Sequence, residues 1–128
     1  LEGAPAALGE TVEALRARLG FAGQPEPLDG APEASPLQAR LPLAPGVIAY
    51  LDREGVVSGL LLEDGFSGML GGVRLSQTAS SVLRRHGPPA REVALAGGMR
   101  GLLYGHEDGA VPRFDMRGGA VVGMLLIR

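Results

Sequence analysis

The chain contains no cysteine, no lysine and no tryptophan, and only two tyrosines and three phenylalanines. Without cysteine there can be no disulfide and no thiolate metal site, and the chain suits a cytoplasmic or an envelope compartment equally well. Without lysine, a phosphate-cradling loop of the Gly-rich, lysine-terminated kind is excluded. All twelve basic residues are arginine, which reads as the mark of a GC-rich coding sequence. Against them stand 14 acidic residues, a net of −2. That balance offers no clustered basic surplus for a nucleic-acid backbone or an anionic membrane surface, so no nucleic-acid partner is expected. No apolar run approaches the roughly 20 residues of a membrane-spanning helix, so no direct membrane span is expected.

What is present is apolar and repetitive. With 45% hydrophobic residues and 4% aromatic ones, the core has to be built from Leu, Val, Ala and Met. A chain of 128 residues is enough for one domain around one core. It begins at Leu1, which suggests a processed or trimmed piece.

The segment YLDREGVVSGLLL (50–62) returns without a gap as FDMRGGAVVGMLL (114–126). Arg53/Arg117, Gly55/Gly119, Val57/Val121, Gly59/Gly123, Leu61/Leu125 and Leu62/Leu126 are identical, and Tyr50 falls opposite Phe114. Upstream, LGETVEALRARLG (8–20) aligns with LSQTASSVLRRHG (75–87). Thr11 and Thr78 are good N-caps, and Gly20 and Gly87 suit the position just past a helix end. Apolar residues at helical spacing between them predict short helices over 12–19 and 79–86. The turn signals DREG and MRGG predict hairpins pairing 47–52 with 56–63 and 111–116 with 120–127. A further strand precedes each hairpin, at 37–43 and 100–105.

The expectation is therefore an α+β fold. Two tandem αβββ repeats, residues 8–63 and 68–128, form a six-stranded antiparallel sheet with two short helices on one face. The Pro-rich stretch 23–36 reads as a flexible loop. Gly59 and Gly123 mark either the crossing of each helix over its own meander or a local bulge.

The Gly-x-Thr opening, the apolar residue four after Thr and the Leu-Gly nine after it precede a meander ending in G-x-V. That pattern resembles the BamE (SmpA/OmlA) outer-membrane lipoproteins, and it is similar to β-lactamase inhibitory protein, which duplicates such a unit. LGET, Leu15, Leu19 and Gly20 carry it in the first copy; Thr78, Val82, Gly87 and Pro88 carry it in the second. Ser76 stands where the family has glycine, His86 replaces an apolar residue, and no proline follows Gly20. The resemblance implies an extracytoplasmic protein that binds other proteins and catalyses nothing, with no binding residue transferable.

Little in the sequence looks like chemistry. His106-Glu107-Asp108 reads as a solvated turn, since consecutive residues at a hairpin tip do not converge on a metal. His86 ends a helix, where the dipole favours an imidazolium. Ser80 and Ser81 lie beside no nucleophile turn, and GGMRG and GMLGG read as linkers. No catalytic residue, metal site or cofactor is expected.

Both faces of the hairpins read as apolar, whereas a sheet roofed on one side should alternate. With the turns pairing Asp52 with Gly55 and Met116 with Gly119, the face left uncovered carries Leu51, Val56, Leu60, Leu62, Val122, Met124 and Leu126. These seven are the candidate binding residues, for a protein partner or a homodimer. The function expected is a non-enzymatic protein-binding or assembly module of the bacterial cell envelope, periplasmic or outer-membrane associated. The alternatives are a small hydrolase or ligand-binding enzyme subunit using His106 or His86, and a structural domain of a larger secretion or surface protein.

Overall fold

Two short helices form where the caps place them, Val12–Leu19 (α1) and Ala79–His86 (α2). The Thr11 hydroxyl accepts the Ala14 N–H at 3.1 Å and the Thr78 hydroxyl accepts the Ser81 N–H at 3.2 Å. Each satisfies a donor that the first turn leaves without an intrahelical partner. The structure, a computed structural model, describes residues 1–20, 23–29, 35–105 and 109–128. Its strands are Glu26–Pro27 (β1), Ala39–Ala44 (β2), Val47–Leu51 (β3), Val57–Leu62 (β4), Arg91–Ala94 (β5), Arg100–Leu103 (β6), Val111–Arg117 (β7) and Ala120–Ile127 (β8).

All eight join one antiparallel sheet in the order β1-β2-β3-β4-β8-β7-β6-β5. The expected six-stranded sheet of two αβββ units is thereby overturned. Each half follows its helix with four strands, and the two unforeseen ones lie at the two edges. β1 is two residues long and sits inside the Pro-rich stretch read as a flexible loop, where Glu26 pairs with Arg40 and Pro27 with Ala39. β5 pairs with β6 along its length, but only Val93 of its four residues is shielded from solvent. An edge strand this polar has no apolar alternation to reveal it.

The halves meet at β4 and β8, where Leu61 pairs with Leu125. These two occupy matching places in the sequence repeat, so the seam runs through a local pseudo-dyad. Each helix is tied to its own hairpin by matching backbone bonds. The Val12 N–H donates to the Gly55 carbonyl and the Ala79 N–H to that of Gly119; the Val57 N–H donates to Glu10 and that of Val121 to Gln77.

The ungapped thirteen-residue match is not how the hairpins superpose. The ladder pairs Leu51 with Val57 and Met116 with Val121, then Tyr50 with Gly59 and Asp115 with Gly123. Tyr50 therefore corresponds to Asp115, and Phe114 corresponds to Ala49. The first turn is one residue longer than the second, which closes with Arg117 opposite Ala120.

Both helices pack on the same side of the sheet. Val12 and Leu15 of α1 lie on Leu41, Ala49, Leu51, Val57 and Leu60. Val82 of α2 lies on Leu62, Leu102, Phe114, Met116, Val121 and Met124. Ala4 and Ala6, with Phe66, Leu70 and Val73 of the connection between halves, roof the space between.

Candidate functional site

Strand parity decides which sheet face a partner can reach, and the structure reverses the expected assignment. Leu51, Leu60, Leu62 and Met124, taken as exposed binding residues, are core beneath the helices, with Leu60, Leu62 and Met124 at 0% exposure. Leu126 shares that side and is half-buried against it. Val56 and Val122 flank the register shifts and are half-buried too. The physical reason is that both helices pack on the very face that carries these side chains, and a β-bulge in each hairpin, between Tyr50 and Leu51 and between Asp115 and Met116, breaks the parity towards the turns. One extra residue in a strand moves every side chain beyond it to the other face. Val57 and Val121 consequently join the helical side, and the two parities as read from the turns no longer hold along whole strands.

The open face carries Ile48, Tyr50, Leu61, Leu103, Leu125 and Ile127, none of which belongs to either core cluster. Gly59 and Gly123 are on this side, away from the helices. A Cβ on Gly59 would stand 3.4 Å from the Tyr50 Cβ, and one on Gly123 would stand 3.6 Å from an Asp115 carboxylate oxygen. The bulge reading of these glycines is the one the register supports.

One ion pair lies flat on the same face. Arg113 Nε donates to Asp115 Oδ1 at 2.7 Å and Nη2 donates to Oδ2 at 3.0 Å. Gly101 makes room for it, since a Cβ there would meet Arg113 Cδ at 2.9 Å. Asp115 is only 6% exposed, and the guanidinium satisfies both of its carboxylate oxygens by this two-point pairing.

The helical side holds a cleft of about 500 Å³ between the N-terminal segment, the end of α2 and the ends of β6, β7 and β8. Phe114 and Pro112 form its floor with Leu126, while Leu70, His86 and Tyr104 wall it. The rings of His86 and Phe114 stack with centroids 5.5 Å apart, and that of Tyr104 packs 5.4 Å from His86. His86 Nε2 is 2.9 Å from the Gly71 carbonyl. A carbonyl only accepts, so this nitrogen carries a proton and is occupied. The Tyr104 hydroxyl donates to the Gly87 carbonyl at 2.9 Å. Burial first, and the negative Glu92 second, push its phenol above the ordinary value, so it remains a neutral donor. Arg128 closes the rim beside Gly9. The sequence flagged His86 only as a helix end; the cleft itself is made by residues from five separate segments and has no local signature.

The other candidates scatter. His106, Glu107 and Asp108 lie outside the described residues. Among the described residues, no three His, Cys, Asp or Glu side chains converge on one point. Ser80 and Ser81 sit in the first turn of α2, Ser81 giving its N–H to the cap. The GMLGG glycines serve close packing: Glu2 bridges to Met69 beside Gly68, and the Arg85 guanidinium lies over Gly72. Arg84, Arg85, Arg91 and Arg100 do not act as one basic patch, because Arg100 pairs with Glu92.

No helix among the described residues is long and apolar enough to cross a membrane. No protein-family model matches the sequence, and no curated protein matches it. Among solved structures the fold is similar to that of an extracellular protein containing an SCP domain from Bacillus anthracis strain Ames. The identity is 14% and the TM-score 0.61, over 94% of this chain and 43% of that one. The chain thus spans less than half the length of that neighbour.

Proposed function

We propose that the protein is a non-enzymatic protein-binding and assembly module of the bacterial cell envelope, working through the open face of its sheet. The observation that supports it is a half-buried apolar centre, Ile48, Tyr50, Leu61 and Ile127, on the side opposite both helices. Eight strands at about 4.8 Å spacing make a sheet roughly 34 Å wide. With its strand lengths the face offers on the order of 600 Å² in projection, near the roughly 800 Å² that each partner contributes to a stable interface. The occupant is a second copy of this chain. Symmetric pairing is the commonest form of assembly, and the apolar centre around the Leu61–Leu125 pair is the surface that such a pair would bury.

The compartment is part of the same reading. It is supported by the resemblance of the Thr-capped repeat to envelope binding proteins, and by the extracellular description of the structural neighbour.

Light scattering coupled to size-exclusion chromatography, run over a concentration series, tests the proposal. The wild type is expected as a dimer and Leu61→Asp as a folded monomer, since Leu61 supports no core cluster. A wild type that is monomeric at every concentration overturns self-assembly. A second reading, in which the face seats another domain of a longer chain, is favoured by the neighbour's greater length.

A further inference from the structure

We infer that the cleft on the helical side is a binding site for a small apolar carboxylate, an acid with one anionic head and a hydrocarbon or aromatic body. This is independent of the open face, which lies across the sheet. The cleft's volume of about 500 Å³ falls within the roughly 300–1,000 Å³ of small-molecule sites. Its interior is apolar: Leu70, Ala110, Pro112, Phe114 and Leu126 surround it. Leu126 stays half-buried there although its strand neighbours Met124 and Leu125 are buried, so an apolar occupant would complete its burial.

The charge of the lining sets the sign of the head group. Two cationic or protonatable side chains, Arg128 and His86, face the cleft, and among the described residues no Asp or Glu does. Arg18, Arg40, Arg100 and Arg113 each pair with a carboxylate. The Arg128 guanidinium makes no ion pair and no hydrogen bond to any described residue; only its backbone N–H is engaged, to the Ser58 carbonyl at 3.0 Å. An unmatched planar fork at the rim of an apolar cavity fits a carboxylate, which it can hold through two parallel bonds. Of the other polar side chains lining the cleft, Tyr104 commits its hydroxyl to Gly87 and His86 commits its Nε2 to Gly71. Recognition of the head therefore falls to Arg128, and the aromatic trio holds the body.

Octanoate and octanol serve as probes, followed by amide chemical shifts of the ¹⁵N-labelled protein. Octanoate is expected to give saturating shifts at Gly71, Gly105 and Leu126 while the open-face amides of Leu61 and Leu103 stay in place. Arg128→Gln is expected to weaken octanoate by about fivefold or more and to leave octanol within about twofold. Ala7→Trp, at an exposed rim position, should abolish both. Gly105→Leu, where the backbone and the space admit a side chain, provides a second block if the first variant loses its dispersed spectrum. The inference is overturned by any of three results: no saturation up to roughly 10 mM, shifts centred on the open face, or an equal effect of Arg128→Gln on both probes.

Discussion

Ser76 adopts φ 73°, the only positive φ among the described residues that are not glycine. Its counterpart in the first half is Gly9, with φ 92°. Both give their N–H to the hairpin, Gly9 to Val57 at 2.8 Å and Ser76 to Val121 at 2.7 Å. The chain must turn left-handed just before each helix cap to reach that carbonyl, and the first half meets the requirement with the residue that meets it most cheaply. A side chain in this region costs about 1–2 kcal/mol, partly offset by the greater freedom glycine loses on folding. Ser76→Gly is therefore expected to stabilise the protein by about 0.5–1 kcal/mol. Urea denaturation of the two proteins checks this, and a lower midpoint for the variant would contradict it. The sequence displayed this position as a departure from the repeat, but only the dihedral angle shows that the geometry was kept while the residue changed.

At the scale of elements, α1 is held to the N-terminal segment by one charged cluster. Arg18 donates to both oxygens of Glu10 at 2.8 Å and to the Pro5 carbonyl at 2.7 Å, while Glu10 Oε1 accepts the Ala7 N–H at 2.8 Å. The hydrogen bond from Arg18, opposed by burial and aided by Ala7, holds the Glu10 carboxyl below its ordinary value. A carboxylate depressed in the folded state contributes stability above its unfolded pKa, and that contribution is lost as pH falls through the folded pKa. Arg18 is about half exposed, so the contribution is expected to be about 1 kcal/mol or less. Glu10→Gln should lower the melting temperature at neutral pH and converge with the wild type in acid below Glu10's folded pKa. A gap that stays constant across the acid range would show that the carboxylate charge is irrelevant. The helices themselves were legible because threonine and glycine punctuate both ends. The bulges showed only as one of two readings of Gly59 and Gly123, because a bulge changes pairing without changing composition.

For the whole molecule, the seam between β4 and β8 makes the halves mutually dependent. The core under α2 contains Val47, Leu62 and Phe66 from the first half. Separated, each half would present an unpaired central strand and part of its core to water, and a segment of that size is marginal even when closed. Fragments 1–66 and 67–128 are each expected to lack a dispersed amide spectrum, and an equimolar mixture should regain it. A fragment that folds alone would mean that the repeats are independent domains.

The sequence by itself determined the helices, the duplicated hairpins and the excess of apolar residues on both sides of the sheet, because caps, turn residues and side-chain chemistry are local. It also excluded disulfides, thiolate sites and a lysine phosphate loop, since those need atoms the chain lacks. Tertiary structure alone decided the rest. Edge strands such as Glu26–Pro27 exist through their partner's hydrogen bonds rather than their own pattern. The single-residue difference between the turns put Phe114 in the core and Tyr50 outside it, because parity propagates along a strand from wherever the ladder starts. The cleft around His86 and Arg128 gathers residues from Leu1 to Arg128, a proximity that no spacing along the chain encodes.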